Sequence, residues 1–68
     1  MRQIESGDLC RMSRLVFVGG KTELKENDVL LIVKKLDRYD NYCLYTFLHS
    51  NGSFMTNTLY DHELEVIS

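Results

Sequence analysis

Two cysteines and two histidines are the side chains of this 68-residue sequence best suited to bind a borderline metal or to act as a nucleophile–base pair. His49 and His62 with Cys43 or Asp61 would be a zinc-type donor set. Their separations match none of the tight Cys-x-x-Cys or His-x₃-His spacings that bring such ligands together. A catalytic thiol needs an open, electropositive setting that favours the thiolate, whereas Cys10 and Cys43 both lie in apolar, strand-like text. Gly19-Gly20-Lys21 resembles a fragment of a phosphate loop, but the full pattern, Gly-x₄-Gly-Lys-Ser/Thr set between a strand and a helix, is not completed, and a turn is the simpler reading. No catalytic residue, metal site or cofactor is expected, and both thiols read as small buried hydrophobes.

Binding is the chemistry that remains. Tyr39, Tyr42, Tyr45 and Tyr60 are the four tyrosines, and tryptophan is absent. Tyr45 falls on a strand face that should be core. Tyr39 lies in a turn by composition at 37–41, and Tyr60 in an expected turn near the C-terminal end. Exposed tyrosine beside arginine is typical of protein-binding surfaces. Arg38, Tyr39 and Tyr60 therefore form the first candidate partner-binding surface, and Arg14 with Lys21 and Lys25 the second. The plainer alternative is that the tyrosines only cap the ends of a small core.

Charge separates two classes of partner. Residues 1–35 hold seven basic and five acidic side chains, residues 36–68 one and five, so the halves carry +2 and −4 within a net −2. A domain that binds by neutralising phosphates needs a basic stripe. A protein partner is favoured. The alternative is an RNA or single-stranded DNA binder with Tyr and Phe as stacking platforms and Arg11, Arg14 and Lys21 along the backbone.

The elements that must position these residues are short strands. Residues 9–12 and 15–18 are β-prone. Residues 21–28 are polar and read mostly as loop, with a helical turn around Leu24. Residues 28–36 are the strongest strand, apolar on both faces through Val33, as for a strand covered on two sides. In 42–48, Cys43, Tyr45 and Phe47 share one face. Asn51-Gly52 is the best hairpin signal and predicts a type I′ turn between strands 42–48 and 53–58. A 3₁₀ turn follows within 59–62, and a brief strand places Leu64 and Val66 inward. At this length only about 60% of the unfolded chain's surface becomes buried, so one domain, 1–68, with a thin core is expected. No secretory leader is expected, since the first residues form no apolar run, and the longest apolar run, 29–33, is too short to cross a bilayer. A cytoplasmic protein with no membrane partner is expected.

The stretch "GDLCRM" near the start, a long central hairpin, and "NGSFMTNTLYDHELEVIS" at the end together resemble the SH3-like barrels. The likeness is nearest to the small stand-alone SH3-like proteins of tailed bacteriophages, including those of cyanobacteria. It spans nearly the whole chain and implies an all-β, small five-stranded SH3-like barrel with a one-turn 3₁₀ helix before the last strand. It further implies a non-enzymatic phage protein that docks on a host or virion protein in the host cytoplasm. Two relatives fit less well. The peptide-binding SH3 domains carry a groove tryptophan that this chain lacks, and its "TLYDHE" stands at the wrong end of the chain. The KOW barrels want a Gly-rich motif and basic loops.

Overall fold

A computed structural model describes residues 3–19 and 22–67. Within them the chain forms β1 (Leu9–Met12), β2 (Val16–Val18), β3 (Thr22–Leu24), β4 (Val29–Arg38), β5 (Tyr42–His49), β6 (Phe54–Tyr60), a 3₁₀ turn (Asp61–Glu63) and β7 (Leu64–Val66). Five strands make one antiparallel sheet in the order β6-β5-β4-β1-β7, and β2 and β3 make a separate hairpin. The fold is all-β. The outer strands β6 and β7 follow one another through the 3₁₀ turn but do not pair with each other, so the sheet stays open.

Strict alternation in β5 decides where the core lies. Cys43, Tyr45, Phe47 and His49 are buried while the residues between them are half-buried. The opposing inward positions come from β1, β4 and β6 as Cys10, Met12, Leu30, Ile32 and Leu59, all at 0% exposure. Nine side chains are fully buried among the described residues. Burying a large apolar side chain contributes roughly 1.5–3 kcal/mol against a net stability of about 5–15 kcal/mol. The loss of any one is therefore a sizeable fraction of the whole.

Several expectations need correction. β4 is covered on one face only: Leu30 and Ile32 are fully buried, but Leu31 and Val33 are 36% and 43% exposed. The register with β5 slips between Ile32 and Lys34, leaving Val33 as a bulged extra residue, and a bulge bends its strand. The uncovered face carries an apolar row, Leu9 opposite Leu31, Leu31 opposite Leu48 and Leu48 opposite Phe54. Residues 22–24 are a strand, not a helical turn. Leu24 pairs with Val16 and is fully buried, because the hairpin gives it an apolar site that an isolated helical turn would not.

The Asn51-Gly52 hairpin exists, but its turn is of another type. Gly52 has a φ of 92°, while Asn51 is not among the positive-φ residues that a type I′ turn would require. Gly52 N–H donates to the His49 carbonyl at 2.8 Å, His49 N–H donates to the Ser53 carbonyl at 2.8 Å, and the Asn51 side chain accepts from Ser53 N–H at 2.9 Å. This is a three-residue loop with glycine in the left-handed position. β6 runs to Tyr60, so the 3₁₀ turn begins at Asp61, two residues later than the start of the predicted window. β4 likewise runs through Asp37 and Arg38, and the turn predicted for 37–41 shrinks to 39–41.

Candidate functional site

The sequence Arg38-Tyr39-Asp40-Asn41-Tyr42 joins β4 to β5. Tyr39 N–H donates to the Tyr42 carbonyl at 2.9 Å, which closes the loop, and Asp61 N–H donates to the Asn41 carbonyl at 2.9 Å, which ties the 3₁₀ turn to it. Two chain segments far apart in sequence are thereby held together by backbone bonds.

Four rings line up on this framework. Tyr42 lies directly opposite Tyr60 in the β5–β6 register, with ring centroids 5.3 Å apart and planes tilted by 50°. Tyr39 stacks on Tyr42 at 4.7 Å and 18°. His62 continues the line, 5.6 Å from Tyr60. Tyr39 and Tyr60 remain 48% and 42% exposed. These spacings fall in the favourable range for aromatic pairs, so the array is ordered and yet offers open ring surface.

Arg38 closes the site beneath the rings. Its guanidinium grips Asp61 with both terminal nitrogens, Nη1 to Oδ1 at 2.6 Å and Nη2 to Oδ2, and Nη2 also donates to the Asp40 carbonyl at 3.2 Å. The hydrogen bonds from Arg38 hold the Asp61 carboxyl below the ordinary carboxylate range, and the same bonds raise the Arg38 guanidinium. Such a fork fixes geometry, although a solvent-screened pair adds little stability. The Glu63 carboxylate accepts Tyr60 N–H at 2.9 Å and so caps the turn. Arg38 borders two hollows. One, of about 420 Å³, has an apolar floor of Ile4, Leu64 and Val66 with Asp61 and Glu65 at its rim. The other is shallower and is lined by Tyr39, Asp40, Asn41 and Tyr42.

The predicted residues Arg38, Tyr39 and Tyr60 thus come together, though Arg38 and Tyr60 are strand residues and the Arg38 charge is neutralised by Asp61. The second predicted surface is not assembled. Arg14 and Lys25 are exposed and make no side-chain hydrogen bond or ion pair among the described residues, and Lys21 lies outside the described residues. Sequence reading missed Tyr42, Asp61 and His62. The signal for Tyr42 was present: counting outward from the hairpin turn pairs it with Tyr60.

The opposite end of the β4–β5 hairpin holds a second unexpected pair. His49 Nε2 lies 2.7 Å from Asp28 Oδ2, and the histidine is only 6% exposed. Asn27, at φ 74°, turns the chain so that the Asp28 carboxylate also accepts Lys25 N–H at 2.9 Å. That backbone bond first, and His49 second, lower the Asp28 carboxyl.

No group of three or more His, Cys, Asp or Glu side chains among the described residues is arranged to hold a metal ion, and no described helix is long and apolar enough to cross a membrane. No family, curated protein or solved structure matches the chain.

Proposed function

We propose that this protein is a non-enzymatic interaction module that docks on another protein through the end of the molecule bearing Arg38, Tyr39, Tyr42 and Tyr60. One observation carries the reading: an exposed, ordered aromatic line, braced by an ion pair, that the core does not require. Tyrosine presents large contact area at low entropic cost, and loops held on a rigid sheet are where binding usually resides. The strand order β6-β5-β4-β1-β7 and the 3₁₀ turn before β7 support an SH3-like barrel. With it comes the inference that the chain is a small phage-encoded protein acting on a host or virion protein in the host cytoplasm.

A single-stranded nucleic acid is the competing ligand, since stacked rings can also receive bases. Four carboxylates on this loop and the neighbouring turn, Asp37, Asp40, Asp61 and Glu63, outnumber the cations beside them, Arg38 and Lys35, and oppose a phosphate backbone. The test is capture on the immobilised protein with and without nuclease. The wild type should retain a nuclease-resistant protein partner that a Tyr39→Ala, Tyr60→Ala double variant loses while keeping its fold. Retention by the variant at full strength would show that another surface binds. Nuclease-sensitive capture would assign the site to nucleic acid.

A further inference from the structure

We propose that the tyrosine end receives a positively charged side chain, an arginine or lysine on a segment of the partner protein, whose neighbouring apolar residue enters the hollow floored by Ile4, Leu64 and Val66. The inference rests on the interaction-module reading and names the chemistry of its partner.

Three observations converge on it. Tyr39 and Tyr60 are 48% and 42% exposed, and a cation over a tyrosine face is attracted by the ring quadrupole. The surrounding field is negative. Arg38 is bound to Asp61 by both terminal nitrogens, which cancels the charge that would repel an incoming cation. Asp37 and Asp40 flank Arg38 and Tyr39 and are both exposed. Neither makes a side-chain hydrogen bond or ion pair among the described residues. Among the described residues the Glu63 carboxylate accepts a backbone N–H, that of Tyr60, and is paired with no cation. Finally, Arg38 borders both the tyrosine hollow and the apolar one, so one short segment can fill the two with adjacent side chains. An arginine suits this site better than a point charge, because a guanidinium plane can stack on a ring while its edge donates to a carboxylate.

The test titrates the isotopically labelled protein with a short peptide of alternating leucine and arginine. A matched peptide, in which neutral citrulline replaces arginine, serves as the comparison. The arginine peptide should shift the ring signals of Tyr39, Tyr42 and Tyr60 and bind about fivefold or more tightly than the citrulline peptide. Tyr39→Ala should weaken it by about two- to fivefold. Asp40→Asn should also weaken it and should flatten its dependence on salt, since one attracting charge is gone. Equal affinity for the two peptides, ring signals unmoved by the arginine peptide, or an oligothymidylate that binds the rings more tightly would each overturn the inference. If it is overturned while the Tyr39→Ala, Tyr60→Ala protein still loses its captured partner, the module reading stands with a neutral partner. If that variant keeps the captured partner, the module reading itself falls.

Discussion

The β4–β5 hairpin carries an acid–base pair at each extremity, and the two pairs sit in different media. At the loop end, Arg38 and Asp61 have side chains each 35% exposed. At the far end, His49 and Asp28 are 6% and 23% exposed. Both pairs join segments that are distant in sequence. In the wet pair, Coulomb attraction is screened and the contribution to folding is small, so its use is geometric: it holds the 3₁₀ turn and the tyrosines in line. In the dry pair, removing Asp28 leaves the nearly buried His49 Nε2 without this partner, which is costly, whereas removing His49 strips one bond from an Asp28 carboxylate that keeps the Lys25 N–H. Similar chemistry serves binding at one end and folding at the other, and solvent exposure makes the difference.

The largest expected effect tests the dry end. His49→Ala should lower stability by about 2–3 kcal/mol in chemical denaturation, through lost packing at a nearly buried position and the lost bond to Asp28. A loss below about 1 kcal/mol would erase the contrast between the ends. Next, Cys43→Ser, which puts a hydroxyl at a fully buried position beneath the tyrosine end, should cost about 1–3 kcal/mol. The native thiol should also resist a bulky labelling reagent until denaturant is added.

Acid should separate the two pairs more finely. Asp28 and Asp61 are both held below their ordinary value of 3.8. Each is ionised more readily folded than unfolded, so its stabilisation is complete above that value and is lost as pH falls through the depressed one. Salt at about 1 M, where the screening length is about 3 Å, should blunt the Asp61 contribution and largely spare that of Asp28. Equal sensitivity to salt would mean that the far end is wet as well. The smallest effect on folding belongs to Tyr39→Ala with Tyr60→Ala. The thermal midpoint should move by no more than a few degrees although binding is lost, and unfolding of the variant would make the tyrosines structural.

What could be read in advance follows from range. The alternation of Cys43, Tyr45 and Phe47, the glycine at Gly52, and the short strand of Leu64 and Val66 are local signals. Period-two burial and a left-handed turn position need no knowledge of the rest of the chain. The errors share the opposite cause. The type I′ turn failed because loop length and the His49–Ser53 bonds, not the Asn-Gly pair alone, set the turn. Leu24 became a strand residue because β2 was there to pair with it. His49 continues the inward face of Cys43, Tyr45 and Phe47, but its partner there, a carboxylate 21 residues away in sequence, is no local signal.

The candidate site divides along the same line. Residue types and their local order already make Tyr39, Arg38 and Tyr60 available, because turn composition and strand alternation leave them outside the core. They also set the negative field around these side chains, since charge needs no fold to be counted. That the three meet, that Tyr42 and His62 extend the aromatic line, and that Asp61 offsets the charge of Arg38 are properties of the folded chain. Those outcomes depend on the β5–β6 register and on one backbone bond from Asp61 to Asn41. Contacts across that many residues are closed by packing, which residue types alone do not encode.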